Sequence, residues 1–320
     1  MEIISNPTQV EIKKAAQALK DGHLVAFPTE TVYGLGADAT NENAVSRVYS
    51  VKARPTDHPL IVHISSINQL GKWAIDIPEY AIKLAKDFWP GPMTLILKRS
   101  EIAKDFITGG QENVGVRVPS HPVALALLIE FEKLGGLGIA APSANRFGKV
   151  STTTSTDVQE DLGEYLEDTD QILDGGSSLV GIESTIINCL SDSPAVLRPG
   201  SISTGQIEKL IYSEKCSDSK KVSVNAPGLL SAHYSPNAKV FIEGVPNVGD
   251  GFLALAEIPT PSGAIRLASP ETVDQFAKVL YQSLRSGDKN GLKRIFVSIP
   301  HGGGMALAIR DRIQKAASSN

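Results

Sequence analysis

The sequence predicts an α/β protein of two domains on three observations: apolar runs of strand length alternate with amphipathic helical segments, one polar stretch interrupts the alternation, and the pattern then resumes. Strand candidates are Leu24–Phe27, Leu60–Ile64, Met93–Lys98, Val114–Val118, Gly138–Ala141, Gln171–Leu173, Ser184–Asn188 and Ala195–Leu197. Helix ends are legible between them. Asn6 or Thr8 can cap a helix that Gly22 stops after Lys20, and Pro122 opens a helix Val123–Lys133 whose nearly all-round apolarity predicts burial. After the helical stretch Gly205–Tyr212, the segment Ser213–Asn225 is rich in Ser, Lys and Asp without periodicity. Its continuation to Pro236 carries Leu229, Leu230, His233 and Tyr234, too apolar for a passive tether, so 213–236 is read as a linker and lid between a first domain, 1–212, and a second, 237–320. The second has strands near Lys239–Ile242, Phe252–Ala256 and Arg294–Ile299 and a helix expected to start at a Ser269 cap with Pro270 at its first position. A small doubly wound, Rossmann-like α/β domain fits that pattern.

Length and composition agree. A chain of 320 residues is long for one hydrophobic core and comfortable for two. A net charge of −4 argues against a generally basic nucleic-acid-binding surface, so any contact with a nucleotide or RNA needs local segregation of charge. The only cysteines, Cys189 and Cys216, are far apart and outside any CxxC spacing, which excludes a disulfide scaffold or a cysteine-rich zinc site. The N-terminus has neither the basic start nor the apolar core of a signal peptide, and no run approaches the ~18 apolar residues of a membrane span; a cytoplasmic protein is expected.

The chemistry is concentrated in polar motifs at strand ends. Phe27 to Gly36 reads FPTETVYGLG, with hydroxyls at Thr29 and Thr31 and with Gly34 and Gly36 free to take positive φ or admit a ligand to the backbone. Lys52 to Leu60 reads KARPTDHPL; Arg117 lies in VRVP, Ser143 and Asn145 in APSANR, Ser184 and Thr185 in GIESTI, and Arg198 in VLRPG. If these clusters share one crevice outside the carboxyl ends of the strands, Lys52, Arg54, Arg117 and Arg198 supply cations, and Thr31, Ser143, Ser184 and Thr185 supply hydroxyls. That set suits an anion, and a polyphosphate in particular. A P-loop, a GxSxG elbow and an HExxH helix are all absent, and His63 within a strand reads first as a core histidine. The inventory favours positioning and charge neutralisation over a covalent protein nucleophile. His301-Gly302-Gly303-Gly304 stands between a strand and a helix, but the chain ends before the acidic ribose ligand of a dinucleotide site, which favours a structural helix start.

The motifs PTETVYGLG, KARPTDHPL, VGVRVP, APSANRFGKVS, GIESTII and VLRPG, in this order and spacing, resemble the YrdC-like domain of L-threonylcarbamoyladenylate synthases. HYSP and the terminal helix Ala308–Ala317 resemble the longer, two-domain form. The resemblance implies a twisted open sheet with flanking helices, and a reaction of L-threonine, bicarbonate or CO2, and ATP giving threonylcarbamoyl-AMP and pyrophosphate. It also implies a separate transferase as partner, which passes the group to the adenosine 3′ of the anticodon in tRNA. By motif, Arg54, His58, Ser143, Asn145, Ser151, Arg198 and Tyr234 would contact ATP, with Lys52 near its phosphates and Lys52 and Arg54 acting catalytically. Thr31, His63, Arg117, the Ala141 backbone and Ser184 would hold threonine. His58 stands where many relatives carry asparagine. Mg2+ is expected on the ATP phosphates and water, not on protein side chains. A second function class, a module gripping duplex RNA or tRNA without adenylate chemistry, would not need the threonine-pocket residues. A third, carbamoyl-AMP-forming hydrogenase maturation, is disfavoured by the lack of zinc-finger cysteines.

Overall fold

The computed structural model describes residues 3–211 and 234–318. The first domain is built on one ten-stranded mixed sheet, with strands β1 Ile3–Ser5, β2 Val25–Phe27, β3 Gly34–Asp38, β4 Ile61–His63, β5 Met93–Lys98, β6 Asn113–Arg117, β7 Ile139–Ala140, β8 Gln171–Asp174, β9 Thr185–Asn188 and β10 Ala195–Arg198. Their order across the sheet is β1-β8-β2-β3-β7-β4-β6-β5-β9-β10. Helices Gln9–Lys20 and Pro122–Lys133 pack together on one apolar layer, and Glu42–Lys52 and Glu79–Phe88 contribute to the larger core around Tyr33, Trp73 and Leu95. Thr8 is the first cap, in a complete capping box with Glu11. The helix Pro122–Lys133 departs from expectation: Ala124, Leu127, Leu128 and Phe131 are buried, but Ile129 is 44 % exposed, because the helix lies on the sheet with one side open.

Two of these strands carry no strand signature in the sequence. β3 is Gly-Leu-Gly-Ala-Asp, whose glycines are free to take positive φ, yet it pairs antiparallel with β2 and neither glycine has positive φ. The constraint there is packing: a Cβ on Gly36 would lie 2.6 Å from Ile139 and 2.8 Å from the Phe27 ring. β1 is three residues long and is defined only by pairing with β8.

The second domain has a four-stranded sheet, β11 Lys239–Phe241, β12 Gly251–Leu253, β13 Ile265–Ala268 and β14 Arg294–Val297, all parallel and ordered β11-β14-β12-β13, with helices Val273–Lys289 and Met305–Ala317. The long helix starts later than expected, at Val273, because the Thr272 hydroxyl accepts from the Gln275 N–H and Ser269-Pro270 stay outside. One apolar cluster spans both domains, joining Val32, Val150 and Ile182 of the first to Phe276, Leu280, Tyr281 and Ile309 of the second. The helix Thr204–Ile211 packs through Ile207 on the first domain. Among the described residues no helix is long and apolar enough to cross a membrane.

Candidate active site

One cavity collects the polar motifs, lined by Thr29, Thr31, Tyr33, Gly34, Arg54, Ile61, His63, Arg117, Ala141, Ser143, Glu183, Ser184, Arg198 and Tyr234, among others. His63, Arg117 and Arg198 close β4, β6 and β10, but Gly34 opens β3 and Ser184 precedes β9. The crevice is therefore not confined to strand carboxyl ends. Ser184 reaches it because β9 runs antiparallel to β6, so the start of one lies at the same sheet edge as the end of the other; Gly34 reaches it because strands as short as the three residues of β4 span only ~10 Å.

Arg117 is fixed from three sides: it donates to Glu30 at 2.6 Å, to the Thr31 hydroxyl at 2.9 Å and to the Gly91 carbonyl at 3.2 Å. Both members of the Arg117–Glu30 pair are almost wholly buried. The Ser120 N–H also donates to Glu30, which holds the carboxylate in place. His63 sits next to Arg117 in register, its ring edge-on to Phe27, and its Nδ1 is buried without a hydrogen-bond partner. A satisfied core histidine would not leave that atom open; a cavity histidine awaiting a ligand would. Burial, reinforced by the Arg117 charge, depresses the imidazole from 6.5 to about 3, so at neutral pH it offers a hydrogen bond and no charge. Between those two values the unfolded chain binds more protons than the folded one, so stability falls as pH drops below 6.5, at up to ~1.4 kcal/mol per pH unit. His63→Gln is expected to flatten that limb. Urea midpoints from pH 7 to 5 check it, and an unchanged slope would locate the acid-sensitive group elsewhere.

The other cations are held by backbone. Arg54 donates to the carbonyls of His58 and Pro59, and its guanidinium lies 5.7 Å from the Phe147 ring, against which His58 packs edge-on. Burial lowers Arg54 to about 10, which leaves it cationic at neutral pH. Arg198 donates to the Ser184 carbonyl and hydroxyl, both at 3.1 Å, and that hydroxyl also bonds Thr94 at 2.8 Å. Lys52 is placed differently from its sequence expectation. Its side chain is fully buried and its ammonium donates to the carbonyls of Ser143 and Asn145, so it ties the helix Glu42–Lys52 to the Ser143 loop and does not line the cavity. Asn145, whose Nδ2 donates to Arg146 and Lys149, likewise lies behind the wall. His58 and Ser151 also stand outside the lining, and most of the expected lid, Pro227–His233, lies outside the described residues. Tyr234 does line the cavity, stacked at 5.7 Å on Tyr281 of the second domain.

The two-domain organisation is shared with known proteins. Residues 17–200 match the Sua5/YciO/YrdC family, described as "Telomere recombination", and residues 202–318 match the family described as "Threonylcarbamoyl-AMP synthase, C-terminal domain". The threonylcarbamoyl-AMP synthase of Pyrococcus abyssi is 40% identical over 96% of this chain and 94% of its own length, and that of Bacillus subtilis is 40% identical over 99% and 95%. The chain belongs to the threonylcarbamoyl-AMP synthase family. The crystal structure of P. abyssi Sua5 complexed with L-threonine superposes with a TM-score of 0.87 at 37% identity, covering 100% of this chain and 98% of the other. This member of the synthase family thus has the twisted mixed sheet and the second parallel-sheet domain of that structure.

Two carboxylates, Glu183 in the cavity lining and Glu30 behind Arg117, are not picked out by sequence reasoning. Glu30 stands between Thr29 and Thr31, and Glu183 directly before Ser184. Glu183 accepts from Ser151 at 2.6 Å, from Tyr281 at 2.9 Å and from Arg312 at 2.8 Å. Burial opposes its ionisation, but Arg312, Arg198 and the Ser151 hydroxyl outweigh that and hold its carboxyl at about 2. A buried-looking Glu flanked by Ile182 and Ser184 was the available signal; its partners, 98 and 129 positions away, gave none.

Proposed function

We propose that this cavity condenses L-threonine, bicarbonate and ATP into threonylcarbamoyl-AMP, releasing pyrophosphate. The observation that carries the reading is the open His63 Nδ1 beside Arg117 and Thr31, in the same cavity as Arg54 and Arg198. Arg117 would take the threonine carboxylate while keeping Glu30, since a guanidinium has five donors. His63, Thr31 and Ser184 would face the threonine hydroxyl and amine. Bicarbonate takes up a proton and loses water to give CO2; after the amine nitrogen bonds the carbon of CO2 and loses a proton, a carbamate oxygen bonds the α-phosphorus as the bridging bond to the β-phosphate breaks. Both reactants are anions, so Arg54 and Arg198 would screen their repulsion and stabilise the departing pyrophosphate. Lys52 would act indirectly, by fixing the Ser143 loop.

Mg2+ fits as a nucleotide-bound ion: the lining carboxylate Glu183 and the neighbouring Glu30 are both already engaged by arginines, and the other polar side chains of the lining are hydroxyls, arginines and the single neutral imidazole of His63. When bound it would neutralise phosphate charge. The product would feed a transferase acting on tRNA. The mass of the product formed from threonine, bicarbonate and Mg-ATP tests the reading, together with pyrophosphate release. Release should follow the order threonine, serine, valine: serine loses a methyl worth ~1–3 kcal/mol, and valine leaves the polar partners of the hydroxyl unpaired. Valine matching threonine would overturn the pocket, and release without bicarbonate would indicate aminoacyl adenylation. Duplex RNA binding with no nucleotide chemistry would support the RNA-module alternative.

A further inference from the structure

Arg312 belongs to the last helix of the second domain, yet its side chain is 0 % exposed and reaches the wall of the cavity in the first. Its Nε donates to Glu183 at 2.8 Å, one terminal nitrogen to the Pro199 carbonyl at 3.0 Å, beside Arg198, and the other to Asp311 at 2.5 Å. Tyr281, from the long helix of the same domain, adds its hydroxyl to Glu183. The same two side chains hold Tyr234: the Tyr281 ring stacks on it, and the Arg312 guanidinium lies 5.4 Å from its centroid. Arg285 of that helix grips the other side of the wall, donating to the carbonyls of Val150 and Ser151 while paired with Asp161. Stability alone does not explain this arrangement, because a buried ion pair is often no better than well-packed apolar residues of the same volume. What it accomplishes is electrostatic. Glu183 lines the cavity next to Ser184, whose carbonyl and hydroxyl both accept from Arg198, so the carboxylate and that guanidinium share one wall and influence each other's ionisation.

We propose that Arg312 and Tyr281 are positioning residues for the nucleotide side of the cavity: they cage the Glu183 carboxylate so that it does not turn onto Arg198 and cancel the charge offered to phosphate. The second domain therefore sets ATP affinity without touching substrate. This role rests on the cavity's being an ATP site, and it leaves the Arg117 side unaffected.

The test is equilibrium binding of a non-hydrolysable ATP analogue with Mg2+, and of L-threonine alone, to the full-length protein; it reads out even if the wild type makes no threonylcarbamoyl-AMP. Wild-type failure to bind the analogue at all would overturn the ATP site itself. Given wild-type binding, Arg312→Met is expected to weaken the analogue at least tenfold and threonine by less than twofold. Adding Glu183→Gln, which removes the carboxylate's charge, is expected to recover most of that loss; because it also relieves the unpaired buried charge, the unchanged threonine affinity of the single variant is what separates positioning from a merely structural defect. Should Arg312→Met not fold, Arg312→Lys, which keeps the charge and loses one or more of the fork's bonds, is read in its place, with about a threefold weakening expected. Unchanged analogue affinity in the folded variant, equal losses for analogue and threonine, or a double variant no better than the single one would each overturn the proposal.

Discussion

Arg117→Ala is expected to abolish threonine-dependent pyrophosphate release, by more than about 100-fold in kcat/KM, and to destabilise the fold by about 3–5 kcal/mol. The two effects have separate causes. The stability loss comes from Glu30: without Arg117 its carboxylate is left buried, keeping only the Ser120 N–H among the bonds described for it. The activity loss comes from the threonine carboxylate, whose charge-assisted bonds contribute ~1.5–3 kcal/mol each. Arg117→Met with Glu30→Gln separates them, since it buries no charge. Urea unfolding of that double variant should return to within about 1 kcal/mol of wild type, while threonine turnover stays lost. A double variant that uses threonine at the wild-type rate would remove Arg117 from the substrate site.

What the sequence made legible follows from how local each signal is. Runs such as Met93–Lys98 carry strand character in their own residues, and Thr8 carries its helix start within four positions. The six motifs were visible because each groups its hydroxyls, prolines and cations within a few residues. Contacts between motifs were not. Arg117 was read as a cation but its partner Glu30 is 87 positions away, and nothing near Glu183 announces Arg312. Lys52 shows the limit from the other side: a lysine at a helix end beside Arg54 looks like a phosphate ligand, and only the folded loop shows that two of its three donors go to backbone carbonyls. β3 is missing from the strand candidates because its glycines serve packing against Phe27, a contact with a neighbouring strand that no local residue pattern shows.

The docking of the second domain leaves no room for a side chain at Gly181. Gly181→Ala is expected to lower ATP affinity more than tenfold and to bring forward thermal unfolding of the interface, because Gly181 is pressed against the helix Val273–Lys289. A Cβ there would lie 2.5 Å from Lys278 Cα and 2.7 Å from the Ala277 carbonyl oxygen, both backbone atoms that no rotamer change can move. Its φ of 81° adds a left-handed cost of ~1–2 kcal/mol to an overpacking cost of ~1–3 kcal/mol. The helix that must yield carries Tyr281 and Arg285, and Glu183 lies two residues along from the substitution, so the displacement reaches both sides of the nucleotide wall. Gly176→Ala in the same loop is the control: Gly176 also has a φ of 81° but has nothing within 4 Å of its Cβ position. It should lose only the left-handed cost and keep ATP affinity within about twofold. Calorimetric unfolding and ATP-analogue binding on both variants decide the matter, and equal behaviour of the two would mean that the loop's backbone strain, not domain docking, sets the site.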